Sequence, residues 1–235
     1  MIMSTIEQNL QAVRDSIAQA AVEAQRAPAD VTLLAVSKTF GADAVLAAMR
    51  AGQMAFGENY LQEALDKIAL VKEGAPQHVP AWHFIGPIQS NKTRPIAEHF
   101  DWVHTVEREK IAARLSEQRP AGLPDLNICL QVNISGEASK SGVTPADLPA
   151  LAHAVAQLPR LRLRGLMAIP EPETDLSRQR LAFAQLRALY EQLKADGLAL
   201  DTLSMGMSAD LRAAVLEGAT IVRVGSAIFG SRHYS

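Results

Sequence analysis

Cysteine is nearly absent from this sequence, which contains one such residue, Cys129, in a chain of 235 residues. A single cysteine forms neither a disulfide framework within the chain nor a CxxC metal site, and the histidines show no spacing typical of metal ligands. Neither sign of charge predominates, since 23 basic residues stand against 25 acidic ones and the net charge is −2. This balance predicts neither nucleic acid nor an anionic membrane as a partner.

Long apolar runs are also missing. No stretch approaches the roughly 18 consecutive apolar residues that a membrane-spanning helix requires. The N-terminal sequence has no basic region followed by an apolar run, which a signal peptide would show. Linkers rich in proline, glycine and serine do not occur either. We therefore expect a cytoplasmic protein whose residues 1–235 form one domain.

Short apolar runs alternate with longer amphipathic segments along the whole chain. The predicted strands cover residues 31–38, 54–59, 81–87, 101–106, 126–134, 161–169, 201–206 and 220–226. Helical patterns between them predict parallel strand pairing through crossover connections. Eight such units close into a (β/α)8 TIM barrel, which here carries an extra N-terminal helix from Ser4 to Arg26. A doubly wound open sheet is the alternative, although eight units are many for it and no GxGxxG follows the first strand.

Lys38 stands at the end of the first predicted strand, and active sites of such barrels lie at that end of the strands. Because strand side chains alternate between faces, Lys38 shares a face with Leu34 and Val36. Arg223 similarly shares a face with Gly225 on the eighth strand, which neighbours the first strand in a closed barrel. The pattern predicts that Lys38 and Arg223 both point inward, side by side.

A lysine beside a buried arginine is driven towards its neutral, nucleophilic form, which Schiff-base chemistry requires. The alternative is that Lys38 merely ends a strand in solvent. Arg223 favours the first interpretation, because an arginine in an apolar strand is costly to bury without a partner.

The loops after the seventh and eighth predicted strands have features typical of phosphate sites in barrels. Ser208 stands at a predicted helix N-cap, although an ordinary cap explains it equally well. Gly225 permits close approach to the backbone, and Ser226 adds a hydroxyl. A phosphate site together with an inward lysine and arginine indicates pyridoxal 5′-phosphate (PLP), with its aldehyde at Lys38 and its pyridine nitrogen at Arg223.

Several long segments in a fixed order carry a resemblance to a known family. They are LLAVSKT, FGENYLQEA, WHFIGPIQSNK, VNISGEASKSG, LRGLMAI, LSMGMSAD and VRVGSAIFG. With these segments the chain resembles the pyridoxal phosphate homeostasis proteins of the YggS/PROSC type over nearly its whole length. The resemblance implies an α/β barrel similar to the N-terminal domain of alanine racemase, which is fold type III of the PLP-binding proteins.

The resemblance also assigns roles to particular residues. Lys38 would hold PLP as a Schiff base, and Arg223 would face the pyridine nitrogen. The positions expected at the phosphate are Ser208, Gly225 and Ser226, and those expected close to the ring are Asn59, His83 and Met167. Lys140 would belong to a mobile loop near the entrance. His83 and Met167 are also open to a purely structural interpretation as packed side chains, and Glu58 is open as a catalytic or a helix-start carboxylate.

Three functions compete at this stage: a non-enzymatic PLP-binding homeostasis protein, a PLP-dependent amino-acid racemase and a Schiff-base aldolase without PLP. Racemisation needs acid/base groups on both faces of the substrate carbon, and Lys38 serves one face. In the racemases the second group is a tyrosine from a further domain, which we expect this chain to lack. An arginine at the ring nitrogen also weakens the electron sink. We therefore expect a monomeric PLP carrier, without catalytic or metal-binding residues, whose partners include PLP-dependent apo-enzymes.

Overall fold

The computed structural model describes residues 4–231, so the first three and last four residues of the predicted domain lie outside the described part. Eight strands form a closed, all-parallel barrel. They are β1 Thr32–Val36, β2 Ala55–Glu58, β3 Ala81–Phe84, β4 Trp102–Val106, β5 Leu126–Gln131, β6 Leu161–Met167, β7 Thr202–Ser204 and β8 Ile221–Val224. Each strand pairs with the next, and β8 pairs with β1. The predicted (β/α)8 barrel is confirmed, and the open-sheet alternative is wrong because the β1–β8 pair closes the sheet.

Helices surround the barrel. Over residues 4–231 they are α1 Thr5–Glu23, α2 Ala42–Arg50, α3 Leu61–Gly74, α4 Thr93–His99, α5 Glu109–Gln118, α6 Leu148–Ala156, α7 Leu176–Ala195, α8 Leu211–Leu216 and α9 Ser226–Phe229. The predicted extra N-terminal helix is α1, which begins after Ser4 because the Ser4 hydroxyl accepts a hydrogen bond from the Glu7 amide. No helix in the described part is both long and apolar enough to cross a membrane.

The side chains of the strands alternate between two buried layers. On β1, Leu33 and Ala35 belong to the large apolar core in which the strands and helices pack together. Leu34 and Val36 are equally buried but do not belong to that core, as expected for side chains that fill the barrel interior. The strand register places Leu34 opposite Arg223 of β8, so Arg223 shares this interior.

Several strands end earlier than the sequence predicted. β1 ends at Val36 and β8 at Val224, so Lys38 lies in the connection after β1 and Ser226 begins the helix that follows β8. The amide of Phe40 donates to the carbonyl of Ser37 at 3.0 Å, and this bond closes a turn around Lys38 that ends the strand. After β8 the chain turns directly into the short helix α9. Sequence periodicity does not detect such turns, because the hydrogen bond that closes them has no periodic signature.

Candidate functional site

A row of hydrogen-bonded polar side chains crosses the barrel interior. Nδ1 of His83 lies 2.8 Å from Nε2 of His104, and Nδ1 of His104 lies 2.7 Å from Oγ of Ser204. Nη1 of Arg223 donates to the same Ser204 oxygen at 2.7 Å. All four side chains are at most 4% exposed. Because β4 and β7 are not neighbours in the sheet, the contact between His104 and Ser204 spans the interior.

Arg223 is a buried cation whose hydrogen-bond partners are neutral. Nη1 donates to the Ser204 hydroxyl, and Nη2 donates to the carbonyl of Ala168 at 3.1 Å. Within residues 4–231 no carboxylate forms an ion pair with it. Burial lowers the pKa of Arg223 to about 10, while Asp210 acts in the opposite direction, so the guanidinium remains charged near neutral pH. A buried charge with neutral partners favours a ligand that accepts its remaining hydrogen bonds.

The charge state of Arg223 limits the hydrogen-bond directions that are possible along the row. Burial lowers the pKa of His83 to about 3. The pKa of His104 lies well below its ordinary value, mainly because of burial and to a smaller extent because of His83 and the charge of Arg223. Both rings are therefore neutral. Arginine can only donate, so the Ser204 hydroxyl is free to donate to Nδ1 of His104. When the hydroxyl donates in this way, His104 donates from Nε2 to Nδ1 of His83, and each ring is held in one tautomer.

These neutral histidines should make the stability of the protein depend on pH. The ordinary pKa of histidine is 6.5 and that of folded His83 is about 3, so the unfolded state binds a proton first as the pH falls. We expect the free energy of unfolding to decrease below pH 6.5, by about 1.4 kcal/mol per pH unit for this one group. Urea denaturation between pH 6.5 and 5 should show a smaller decrease for His83→Gln than for the original protein. Equal slopes would contradict the assignment.

Lys38 lies in the turn that follows β1 and is half-buried. The amide of Ser37 donates to the carbonyl of Gly57 at 3.0 Å, which continues the β1–β2 pairing by one residue. The Ser37 side chain points away from the interior, since its hydroxyl donates to Glu58 at 2.6 Å. Alternation therefore directs Lys38 towards the barrel mouth. The next residue, Thr39, has a φ of 70°, which is uncommon for a β-branched residue.

Lys38 and Arg223 occupy the same side of the barrel but different depths. Arg223 pairs in register with Leu34, and Lys38 lies four residues after Leu34 in the chain. At about 3.3 Å per residue this offset corresponds to at most about 13 Å. The predicted side-by-side placement is therefore wrong, since the register sets Arg223 deeper than Lys38. The offset leaves room for a ring between two long side chains.

Asn59 follows β2 and lies at the barrel mouth. Its Oδ1 atom is buried and has no hydrogen-bond partner among residues 4–231. Asn59 lines a cavity of about 200 Å³ together with Thr105 and Gln131, among others. A Cβ atom at Gly86 would lie 2.3 Å from the carbonyl oxygen of Asn59, so only glycine allows this close approach. The orphaned oxygen is a free acceptor for a donor on a ligand.

The three residues predicted to bind phosphate follow β7 and β8. Ser208 and Ser226 are exposed, whereas Gly225 is partly buried. A Cβ at Gly225 would lie 3.2 Å from the carbonyl oxygen of Val36, so this glycine also lets β8 end close to β1. The predicted N-cap at Ser208 is wrong, because α8 begins at Leu211 and its N-cap residue is Asp210. Ser208 stands in the turn before that helix.

The remaining predicted residues lie inside the barrel, together with residues that sequence reasoning missed. Met167 ends β6, is fully buried and pairs in register with Ser204. His83 belongs to the polar row, so its structural interpretation as a hydrogen-bonded side chain is correct, whatever else it contacts. The sequence did not predict His104 as a site residue, although a histidine within an apolar run was a usable signal. Ser204 carried no such signal.

The chain is similar to a known protein family and to several named proteins. Residues 7–233 match the family described as "Alanine racemase, N-terminal domain". A Pseudomonas aeruginosa protein named pyridoxal phosphate homeostasis protein is 65% identical over 232 residues, which cover 99% of this chain and 98% of the relative. A protein of the same name from Escherichia coli K12 is 54% identical over 233 residues and covers 99% of both chains.

Solved structures give the same result. PipY of Synechococcus elongatus, in a structure with PLP bound, is 38% identical with a TM-score of 0.83 and covers 96% of this chain and 100% of its own. Alanine racemase of Corynebacterium glutamicum has a TM-score of 0.69 at 18% identity and covers 97% of this chain, which in turn spans 60% of the racemase. At that identity the likeness concerns the fold alone.

Proposed function

The chain belongs to the family of pyridoxal phosphate homeostasis proteins, within the wider family of the alanine racemase N-terminal domain, and on this premise we propose that it binds PLP and serves in intracellular vitamin B6 homeostasis. One observation of the barrel carries the proposal. A charged, buried Arg223, which forms no ion pair with a carboxylate among residues 4–231, lies below the turn that bears Lys38. A flat ligand with an aldehyde at one end and a hydrogen-bond acceptor at the other fits between them.

The residues present suit this cofactor. When bound, PLP supplies an aldehyde that can link covalently to a lysine amine and a ring that can accept electrons. Lys38 would provide the amine at the mouth, and the guanidinium of Arg223 would donate to the pyridine nitrogen. Asn59, whose Oδ1 is an orphaned acceptor, lies at the side of the site, with His83 and Met167 in the interior. The phosphate is assigned to Ser208, Gly225 and Ser226, at the ends of β7 and β8.

Arg223 also argues for a carrier rather than a racemase. Its pKa of about 10 means that the guanidinium keeps its protons near pH 7, so it would hydrogen-bond to the ring nitrogen without protonating it. An unprotonated ring stabilises a carbanion poorly, which racemisation requires. The Pseudomonas aeruginosa and Escherichia coli relatives, which match this chain over almost their whole length, are named as homeostasis proteins and not as enzymes.

Titration of the cofactor-free protein with PLP, followed by chromatography of L-alanine and L-serine incubated with the complex, tests this function. We expect one PLP per chain, a yellow complex after gel filtration, and L-amino acids that keep their chirality. Racemisation at an ordinary enzymatic rate, on the order of 1–10³ per second, would establish the racemase instead. A colourless protein that does not bind PLP but cleaves aldol substrates through Lys38 would establish the aldolase.

The phosphate assignment predicts that Ser208→Ala and Ser226→Ala each weaken PLP binding about tenfold to a hundredfold, because a hydrogen bond to a charged group contributes about 1.5–3 kcal/mol. Pyridoxal, which has no phosphate, should bind both variants as it binds the original protein. Ser177→Ala provides a control, since Ser177 is exposed on α7 and is not among the described residues that line the cavity beside Ser208. If pyridoxal and PLP lost affinity equally, the two serines would not be phosphate ligands.

The proposal extends to where and with what the protein acts. We assign PLP binding to residues 1–235 as one domain. We further propose that the protein is a monomer, acts in the cytoplasm and supplies PLP to PLP-dependent apo-enzymes. The near-neutral net charge of −2 supports small-molecule binding over nucleic-acid binding. Light scattering at several concentrations tests the monomer, and restored activity of a PLP-free acceptor enzyme mixed with the complex tests the delivery.

A further inference from the structure

A buried ion pair lies directly behind the turn that bears Lys38. Nζ of Lys67 is 2.6 Å from Oε1 of Glu58, and the two side chains are 3% and 0% exposed. The same Glu58 oxygen accepts the hydroxyl of Ser37 at 2.6 Å, and Lys67 donates to the Ser37 carbonyl at 2.8 Å. The residue before Lys38 is thus held by its side chain and by its backbone.

The residue after Lys38 is held by the same group of charges. Oε1 of Glu63 accepts the backbone amide of Thr39 at 2.7 Å and lies 2.9 Å from Nζ of Lys67. This bond fixes Thr39 in a left-handed conformation, with a φ of 70°, that a threonine seldom adopts. The backbone on both sides of Lys38 is therefore held by hydrogen bonds to one group of charged residues. We call this group, Glu58, Glu63 and Lys67, the clamp.

Stability alone does not account for the clamp. Replacing a buried ion pair by apolar residues of similar volume commonly leaves the stability of a protein unchanged or increases it. Backbone strain in proteins concentrates at functional sites. The second carboxylate oxygen of Glu58 is buried without a hydrogen-bond partner among residues 4–231, which adds to the cost of the arrangement. Burial raises the pKa of Glu58 despite the attraction of Lys67.

We propose that Glu58, Glu63 and Lys67 form a positioning device that fixes the Ser37–Thr39 backbone and thereby aims Lys38 at the aldehyde of the cofactor. This inference rests on the proposed function, because it assigns the clamp to the PLP site. The clamp residues lie on β2 and α3, behind the strand ends, so they act through the turn and not on PLP itself. A misplacement of about 1 Å is enough to impair a reaction between two bound groups.

Glu63 is the best position for a test, because its side chain is 36% exposed and its loss should not unfold the protein. Glu63→Ala removes the acceptor for the Thr39 amide, whereas Glu63→Gln keeps an acceptor oxygen at the same place. The control is Asp201→Ala, which removes an ion-paired carboxylate of 46% exposure at the opposite end of the barrel. Two probes are compared: PLP, and pyridoxine 5′-phosphate, whose alcohol cannot react with a lysine.

We expect Glu63→Ala to weaken PLP binding about tenfold, as for one hydrogen bond to a charged group, while pyridoxine 5′-phosphate binding changes less than about twofold. Glu63→Gln should restore most of the affinity, and Asp201→Ala should affect neither probe. Equal losses for both probes would overturn the proposal, since they indicate general damage to the pocket.

Hydrogen–deuterium exchange at the Thr39 amide provides a readout without cofactor. Glu63→Ala should accelerate this exchange at least about tenfold, because the amide loses its acceptor. Unchanged exchange would overturn the clamp even if PLP binds as proposed. If the original protein bound no PLP at all, the proposed function would fail, and the exchange rate would still decide whether the clamp holds the turn.

Discussion

Lys38→Ala is expected to remove the lasting association between this protein and PLP. Without the amine no covalent link to the aldehyde can form, and only the contacts to the ring and phosphate remain. We expect the affinity for PLP to fall about a hundredfold or more, a change of roughly 3 kcal/mol, and the yellow colour to be lost on gel filtration. Pyridoxine 5′-phosphate should bind the variant and the original protein alike, because it never uses the amine.

Lys92→Ala is the matched control for this experiment. Lys92 ends a short 3-10 turn after β3 and is exposed, so its removal should leave the colour and the affinity unchanged. A Lys38→Ala protein that retains stoichiometric PLP through gel filtration would show that another residue carries the cofactor.

Lys67→Met should be among the most destabilising single substitutions in this protein. It leaves Glu58, which is 0% exposed, without its counter-charge, and such a change costs about 3–5 kcal/mol of the free energy of unfolding. The double variant Glu58→Gln, Lys67→Met removes both charges and should recover most of that loss. Urea denaturation of the three proteins at pH 7 measures these differences.

The pH dependence of the single variant provides the internal check. Burial raises the pKa of Glu58 above its ordinary value of 4.5 even with Lys67 present. Without Lys67 the folded protein binds a proton at Glu58 before the unfolded chain does, so lowering the pH stabilises the fold. The deficit of Lys67→Met should therefore shrink between pH 7 and 5. A deficit that is small at pH 7, or independent of pH, would show that this pair is not a buried charge pair in solution.

The fold was predictable because its signal is repeated along the chain. Each apolar run followed by an amphipathic segment contributes the same evidence for a strand and a crossover helix, so an error in one element changes little. Strand ends were less predictable, because a turn such as the one at Lys38 depends on a hydrogen bond from Phe40 to Ser37 and on a positive φ at Thr39. Neither feature has a periodic signature.

The candidate site was predictable only where a residue was out of place in its own strand. Arg223 was recognised because an arginine within the apolar β8 needs a reason, and its burial with neutral partners agrees with that reasoning. The alternation of side chains along β1 and β8 predicted that Lys38 and Arg223 share the interior face. It did not predict the strand register, which places Arg223 deeper in the barrel than Lys38. Ser204 could not be found, because its importance comes from a contact with His104 across the barrel and one with Arg223 on the neighbouring strand.

The clamp residues also could not be recognised from the sequence. Glu58 was noticed as an acidic residue at a strand end, with a catalytic and a structural interpretation left open. Its partners Glu63 and Lys67 look like an ordinary pair of charges on the surface of a helix, at the spacing common there. Only the packing of α3 against β1 and β2 reveals that Lys67 is buried and reaches the backbone beside Lys38.

Reduction of the PLP complex with borohydride, followed by proteolysis and mass spectrometry, tests the central claim most directly. Borohydride converts the reversible link between PLP and a lysine into a stable one, so the modified residue can be identified. The account predicts a single pyridoxyl phosphate group, located on the peptide that contains Lys38. Label spread over exposed lysines such as Lys72 and Lys92, with Lys38 unmodified, would contradict the assignment of the site.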